Sequence, residues 1–291
     1  MNQIADAWQD YECLDIGNKE KLERWGNIVL RRPEPQAIWP IQEEDPLWRH
    51  PHAHYHRAKS GGGAWEYHKQ FPQSWTIRYK DLCFKVSPTG FKHTGLFPEQ
   101  AANWDFLREQ ISQCDEKVRI LNLFAYTGGA TMACAKAGAD EVVHVDASKG
   151  MVQWAKENMA LSNLSDHKIR FIVDDVFKFV AREKRRGRTY HGIIMDPPSY
   201  GRGPNKEVWK IEEQLYDFIL ACLDILDEHP LFFLINSYST GFSPTLLKQL
   251  LQLSIGKKYP QGVMEAGENS LPITRSESLL PCGIYGRWVR K

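Results

Sequence analysis

The chain has 291 residues, of which 42% are hydrophobic and 25% charged, a composition typical of a globular protein with a large core. Its 37 basic and 36 acidic residues leave a net charge of +1, which excludes a uniformly basic, nucleic-acid-coating surface. There is no signal-peptide pattern, no apolar run near the roughly 20 residues that span a bilayer, and no CxxC pair among the six cysteines. These features predict a cytoplasmic protein with reduced thiols and no membrane contact.

The first third of the chain contains short runs in which apolar and polar residues alternate. GNIVLRR (26–32) predicts one β-strand, and WTIRYKDLCFKVS (75–87) predicts two strands joined at YKD. PEQAANWDFLREQI (98–111) then predicts a helix, with Pro98 tolerated in its first turn. We therefore expect a small β-rich N-terminal domain over residues 1–97, with a possible role in binding substrate or RNA.

Histidines occupy every second position in part of HPHAHYHRAKSGGG (50–63). On a strand these four side chains would share one face and offer metal ligands. Flanking prolines and three consecutive glycines predict a loop instead, and no cysteine or acid in the stretch completes a ligand set. We therefore predict no metal site and a loop able to contact phosphates. The four histidines are His50, His52, His54 and His56, and the candidate phosphate contacts are His54, His56, Arg57 and Lys59.

From residue 118 onward, buried strands alternate with helices of about a dozen residues. In chain order the segments are VRILNLFAY, GGATMACAKAG, EVVHVDA, KGMVQWAKENMAL, KIRFIVD, DVFKFVAREKRRG, YHGIIMD, KEVWKIEEQLYDFILACLDIL, LFFLINS and SPTLLKQLLQLS. This alternation predicts right-handed crossovers and a Rossmann-like, doubly wound, mostly parallel α/β sheet. GVMEAGE and GIYGRWVR, with only a loop between them, predict an antiparallel pair at one edge. We place this domain at 98–291.

The first of these strands ends in NLFAYTGG (122–129), where an open α/β sheet binds its ligand. The glycine pair lets the backbone approach a ligand at a helix N-terminus, but the turn lacks the GxGxxG of a dinucleotide site. Asp146 ends the second strand, where a carboxylate accepts both hydroxyls of a ribose. Asp175 follows the third strand, within reach of an adenine amine, with the Val176 backbone beside it. An acid at a strand end is often only a helix cap, but the combination indicates S-adenosylmethionine.

The run NLFAYTGGATMACAKAGADEVVHVDASKGMVQWAKENM, followed by DPPSYGRG, resembles class I methyltransferases that modify cytosine or guanine bases of large-subunit ribosomal RNA. The similarity covers roughly residues 90–290. It implies S-adenosylmethionine as cofactor and 23S ribosomal RNA as substrate. It also implies that the methionine part of the cofactor lies along the turn at 122–129, the ribose at Asp146 and the adenine at Asp175. The candidate cofactor-binding residues are Phe124, Ala125, Tyr126, Thr127, Gly128, Asp146, Ala147, Asp175, Val176 and Asp196.

The fourth strand ends in MDPPSYG (195–201), which is similar to the (D/N)PP(Y/F) loop of enzymes that methylate planar nitrogens. Proline cannot donate to a sheet ladder, so the strand must stop at Asp196. Asp196 and the Pro197 carbonyl can accept hydrogen bonds from an amine, and Tyr200 can stack on an extruded base. Ser199 stands where that loop has its aromatic residue. The candidate catalytic residues are Asp196, Pro197, Pro198 and Tyr200, and the candidate substrate contacts are Ser199, Tyr200 and Tyr238.

Methylation at carbon 5 of a pyrimidine would instead require a cysteine thiolate as nucleophile. Relatives that make 5-methylcytosine carry a cysteine after the fifth strand, whereas LINSYSTGF has Tyr238 there and no cysteine. Cys134 and Cys222 fall on predicted helices among small or apolar neighbours, as core cysteines do. We therefore favour a nitrogen target. A protein or small-molecule methyltransferase, and a catalytically silent cofactor-binding subunit, remain the alternatives.

Overall fold

The structure is a computed structural model that describes residues 2–42, 45–58, 62–202 and 208–291. The Cα positions form two compact units. One contains the chain up to Gln3 with Ala102–Asn269 and Cys282–Lys291, and the other contains Ile4–Ala101 with Ser270–Pro281. The boundary between residues 97 and 98 stays a prediction. None of the helices in the described ranges is long and apolar enough to cross a membrane.

The N-terminal part of the chain is rich in strands, as its alternating pattern predicts. Its elements are β1 (Gln3–Ile4), β2 (Tyr11–Gly17), β3 (Glu20–Trp25), β4 (Ile28–Pro33), α1 (Pro46–Arg49), β5 (Ala53–Arg57), β6 (Gly63–Tyr67), β7 (Trp75–Tyr79) and β8 (Leu82–Val86). Strands β2 to β6 form one sheet in chain order, and β7 and β8 form the predicted hairpin. Neighbours in the larger sheet are antiparallel except β4 and β5, which run parallel.

The prediction of a loop over residues 50–63 is wrong for residues 53–57, which form β5, and for Gly63, where β6 begins. Lys59, one of the predicted phosphate contacts, lies outside the described residues. Strand β5 pairs with β4 on one side and with β6 on the other. Ala53 and Tyr55 are buried, whereas His54 is half-buried and His56 is exposed, so the two histidines share the opposite face. The local prolines and glycines flank this strand without interrupting it. Its parallel partner is distant in sequence, and composition alone could not reveal that pairing.

The second part of the chain alternates strands and helices as predicted. After a 3₁₀ turn (Pro98–Gln100) its elements are α2 (Ala101–Ser112), β9 (Arg119–Leu123), α3 (Gly129–Lys136), β10 (Glu141–Asp146), α4 (Lys149–Leu161), β11 (Ile169–Val173), α5 (Val176–Arg185), β12 (Gly192–Met195), β13 (Tyr200–Arg202), β14 (Val208–Lys210), α6 (Ile211–Leu223), β15 (Phe232–Ser237), α7 (Pro244–Leu253), α8 (Ile255–Lys258), β16 (Val263–Pro272) and β17 (Leu279–Val289).

These strands form a sheet with the order β1-β16-β17-β15-β12-β9-β10-β11. The five strands from β15 to β11 are parallel, and β17 runs antiparallel to β15. The predicted α/β class, with a mostly parallel sheet and antiparallel edge strands, is therefore confirmed. Every residue of β12 and β15 is buried, which explains why β12 (GIIM) and the first four residues of β15 (FFLI) do not alternate between apolar and polar.

The order of the strands changes direction at β9, which lies between β10 and β12. The strands β10 and β11 follow β9 toward one edge of the sheet, whereas β12 and β15 lie on the other side of β9. Open parallel sheets bind ligands at such a switch point, outside the carboxyl ends of the strands. Leu123 pairs with both Val145 and Met195, so the strand ends that precede the predicted site residues are level with one another.

The helix predicted to begin near residue 206 starts later, at Ile211. Val208–Lys210 instead form β14, which pairs antiparallel with β13. Trp209 in this ribbon is buried, and its ring packs against Phe124 and Phe218 at centroid distances of 6.0 and 6.2 Å. This aromatic packing ties the ribbon to the core. The first residues of the predicted helix, 206 and 207, lie outside the described residues.

Candidate active site

The turn after β9 adopts an unusual backbone conformation. Phe124, Tyr126 and Gly128 have φ values of 55°, 49° and 86°, all in the left-handed region. This region is unfavourable for residues with a Cβ, so a structure keeps it only where its surroundings impose it. At Gly128 a Cβ would also lie 3.1 Å from Met132 Cε and 3.2 Å from Ala155 Cβ. The glycine therefore serves both the conformation and the close packing of this turn against its helices.

Asp146 holds the turn from the neighbouring strand. Its Oδ2 accepts a hydrogen bond of 2.9 Å from the Tyr126 N–H, and its Oδ1 accepts one of 2.8 Å from the Ser148 N–H. A carboxylate offers about four acceptor positions, so two remain for the hydroxyls of a ribose. Burial raises the pKa of Asp146, and the two backbone hydrogen bonds oppose that rise. A half-buried carboxylate with spare acceptor capacity fits the ribose-binding role that the sequence predicts.

A buried polar network lies behind the same turn, and sequence reasoning missed it. The Asn122 amide donates to Thr131 Oγ1 at 2.9 Å, and Thr131 Oγ1 lies 3.0 Å from His144 Nδ1. Burial lowers the pKa of His144 to about 3, so the imidazole is neutral at physiological pH. Asn158, on α4, donates to the Thr127 carbonyl at 2.9 Å. The available signal was a polar residue within each of two otherwise apolar strands, because buried polar groups need partners.

Asp175 caps a helix in this structure. It is the N-cap of α5, and its Oδ1 accepts a 3.0 Å hydrogen bond from the Lys178 N–H. The preceding Asp174 forms an ion pair of 2.6 Å with Arg182, and its N–H donates to the Asp146 carbonyl at 3.2 Å. Asp175 therefore lies beside the ribose candidate, at the end of the adjacent strand. Its predicted contact with adenine, and that of the Val176 backbone, stay predictions.

The DPPSY loop follows β12 directly, as the proline argument predicts. Asp196 is half-buried, Pro197 is buried, and Tyr200 is 51% exposed. Among the contacts that anchor the loop are two made by side chains. The Trp209 Nε1–H donates to the Pro198 carbonyl at 2.5 Å, and the hydroxyls of Ser199 and Ser239 lie 2.7 Å apart.

Neither anchor of this loop was identified from the sequence. Ser239 lies just beyond β15, and Trp209 lies in a segment expected to be helical. At the end of β15, the Asn103 amide donates to the side-chain carbonyl of Asn236 at 2.9 Å, with both residues buried. Tyr238, the tentative substrate contact, follows two residues later and is 37% exposed. The loop after β15 therefore presents both buried polar groups and an exposed ring beside the DPPSY loop.

The cysteines differ in their access to this edge of the sheet. Cys13, Cys83, Cys134 and Cys222 are buried, and burial raises the pKa of the Cys13, Cys134 and Cys222 thiols. Cys282 is half-buried and precedes Ile284, which pairs with Ser237 at the carboxyl end of β15. The strand register therefore places Cys282 at the site edge, which sequence position alone did not indicate.

The fold thus brings together what the sequence places far apart. The glycine turn, Asp146, Asp175 and the DPPSY loop follow four adjacent strands, and Tyr238 follows the fifth. Ala147 comes directly after the ribose candidate, at the end of β10. The arrangement is typical of a nucleotide-type cofactor site at a switch point, with the proline loop at the same edge.

The profile of the S-adenosylmethionine-dependent methyltransferase family matches residues 48–226, and the chain belongs to that family. Its cofactor is S-adenosylmethionine. The crystal structure of the SAM-dependent methyltransferase from Agrobacterium tumefaciens has a TM-score of 0.93 and 33% identity, covering 100% of this chain and 94% of that chain. The structure of SMU.776 complexed with SAH has a TM-score of 0.73 and 19% identity, covering 97% and 76% of the two chains, and shows the same fold.

Two curated relatives each match less than half of the chain. The ribosomal RNA large subunit methyltransferase K/L of Shewanella oneidensis is 36% identical over 124 residues, which are 43% of this chain and 16% of that protein. The ribosomal RNA large subunit methyltransferase I of Aeromonas salmonicida is 36% identical over 107 residues, 37% of this chain and 26% of that protein. The matches thus span between about a sixth and a quarter of these relatives' lengths.

Proposed function

We propose that this methyltransferase modifies a base of RNA, with 23S ribosomal RNA as its substrate and a nitrogen as its target atom. The observation that carries this proposal is the anchored DPPSY loop beside the cofactor turn, with Asp196 half-buried and Tyr200 exposed. The ribosomal RNA methyltransferases that match the chain support the choice of substrate. The domain predicted at 1–97 would help to hold the RNA.

Bound S-adenosylmethionine would supply an electrophilic methyl group: the nitrogen–methyl bond would form as the sulfonium–methyl bond breaks, leaving S-adenosylhomocysteine, and the proton lost by the nitrogen would pass to water. Asp196 and the Pro197 carbonyl accept hydrogen bonds from the amine of the target base, which orients the nitrogen lone pair and disperses the positive charge that develops there. The anchors at Pro198 and Ser199 hold the two acceptors in place, so little conformational freedom is lost on binding. The exposed Tyr200 ring offers a stacking face for the extruded base.

A nitrogen target predicts that no cysteine is essential. Replacing each of the six cysteines with serine should leave the methyl-transfer rate within a few-fold of the parent, because no thiol attacks the base. Cys282→Ser is the decisive variant, because Cys282 is the half-buried cysteine at the site edge. The rate is measured with RNA extracted from a strain that lacks the gene.

Trapping with RNA that contains 5-fluorocytosine provides the opposing test. A covalent complex that forms with the parent and disappears in Cys282→Ser would establish carbon-5 chemistry and overturn the nitrogen assignment. The Cys134→Ser variant is the matched control, because Cys134 is fully buried on α3.

The substrate class is tested by mapping methyl groups by mass in total RNA from a gene-deletion strain. We expect one modified base in 23S ribosomal RNA to lose its methyl group, and purified parent protein to restore it to the extracted RNA. If the RNA map is unchanged while a methyl group disappears from a protein or small molecule, the RNA proposal is wrong. Cofactor binding without methyl transfer to any of these would support the silent-subunit alternative.

A further inference from the structure

The strands β5 and β6 bring together three side chains that do not take part in the proposed chemistry. His54 and His56 point to one face of β5, and His54 pairs in register with Glu66 on β6. One potential ligand atom from each of these three residues lies within 4.8 Å of the other two. The expectation of no metal here rested on the lack of an acid within residues 50–63, and the strand pairing supplies one from just outside that stretch.

The geometry of the cluster suits a transition-metal ion. His56 Nε2 lies 2.7 Å from Glu66 Oε2, and the two imidazole centroids are 3.9 Å apart. Bonds of about 2.0–2.2 Å to a tetrahedral zinc ion place its ligands about 3.4 Å apart. This spacing is longer than the 2.7 Å contact between His56 and Glu66 and shorter than the 4.8 Å within which all three ligand atoms lie. Small side-chain rotations would therefore convert the cluster into a coordination sphere. The His56 and Glu66 side chains are 52% and 56% exposed, so an ion has open access.

A supporting carboxylate orients one of the imidazoles. His54 Nε2 lies 2.5 Å from Glu20 Oε1, and the Arg31 Nε–H donates to the other Glu20 oxygen at 2.8 Å. Arg31 in turn donates to the Trp48 carbonyl at 2.8 Å. A histidine ligand commonly donates its second ring nitrogen to a carboxylate in this way, which fixes its tautomer. Here Nε2 would be the donor and Nδ1 the nitrogen left to bind metal.

Charge also favours a cation at this position. Two acidic side chains lie beside the two imidazoles, Glu66 at 2.7 Å from His56 Nε2 and Glu20 at 2.5 Å from His54 Nε2. Two imidazoles and a carboxylate are ligands that zinc accepts readily, whereas magnesium and calcium prefer all-oxygen sites.

We propose that His54, His56 and Glu66 bind a divalent transition-metal ion of the zinc type, with water at the open fourth position. Bound there, the ion joins β5 to β6. This site is separate from methyl transfer, so its test does not depend on the proposed RNA substrate.

The proposal is tested by titrating the full-length, chelator-treated protein with Co²⁺ as a spectroscopic probe, followed by displacement with Zn²⁺. We expect one equivalent of Co²⁺ with the visible spectrum of a tetrahedral nitrogen–oxygen site, no response to Mg²⁺, and a metal-dependent rise in the thermal midpoint. His56→Gln and Glu66→Gln should each weaken binding roughly tenfold or more, since they remove a ligand. His50→Gln is the matched control, an exposed histidine outside the cluster.

Three results would overturn the proposal: no binding by the parent, equal binding by parent and both ligand variants, or an equal loss of binding in His50→Gln. A thiolate-to-cobalt charge-transfer band would place the metal on a cysteine and would also refute it. Circular dichroism of the metal-free variants shows whether they are folded. We expect both variants to fold, because His56 and Glu66 are exposed.

Discussion

Asp196→Ala is expected to reduce the rate of methyl transfer several hundredfold, a loss of about 3–4 kcal/mol in transition-state stabilisation. The affinity for S-adenosylmethionine should fall much less than the rate, because the proposed partner of this carboxylate in the reaction is the substrate. The loop should keep its position, since Trp209 and Ser239 anchor it through Pro198 and Ser199. The measurements are methyl transfer to RNA from a deletion strain and calorimetric titration with the cofactor.

Two further variants make this result specific. Asp224→Ala makes the same substitution at an exposed acid at the end of α6, and should leave the rate unchanged. Tyr200→Ala should raise the apparent substrate constant, because the substrate would lose roughly 1–3 kcal/mol of binding free energy, the usual contribution of stacking one base. If Asp196→Ala methylates RNA at the parental rate, the two prolines only end a strand and the loop has no catalytic role.

Asp146→Ala is expected to weaken S-adenosylmethionine binding by about 1–3 kcal/mol, or about 5- to 150-fold in the dissociation constant. The ribose hydroxyls lose a charged acceptor, and the N–H groups of Tyr126 and Ser148 lose theirs as well. The second effect loosens the left-handed turn that follows β9. Calorimetry on the purified protein measures the affinity directly.

Asp146→Asn separates the two effects. The amide keeps one acceptor oxygen and the shape of the side chain but removes the charge, so its affinity should lie between those of the parent and Asp146→Ala. An affinity equal to the parent's in both variants would remove Asp146 from the cofactor site.

Much of the candidate site follows from local sequence. The strand ends at Asp146 and Asp196 were predictable because largely apolar runs end there, and proline forbids any extension of β12. A tight turn at Gly128, of the type that uses the left-handed region, was predictable, since a glycine pair before a helix indicates such a turn. The left-handed conformations of Phe124 and Tyr126 were not predictable, because those residue types disfavour them.

The sequence did not predict which residues hold the DPPSY loop in place. Trp209 was assigned to a helix because its neighbours have helical periodicity, but packing against Phe124 and Phe218 favours an extended ribbon there. Buried aromatic contacts outweigh the small differences in helix propensity that single residues carry. The Ser199–Ser239 contact joins two loops that are forty positions apart.

The sequence by itself determined the alternation of strands and helices, the order of the cofactor motifs and the stop at Asp196, since periodicity and proline geometry act over a few residues. The tertiary structure decided which distant segments meet. It placed Cys282 at the site edge through β17 pairing, and it turned residues 53–57 of the expected loop into β5, with Glu66 across from His54. Strand pairing depends on register and burial across the whole sheet, and no short window of sequence contains that information.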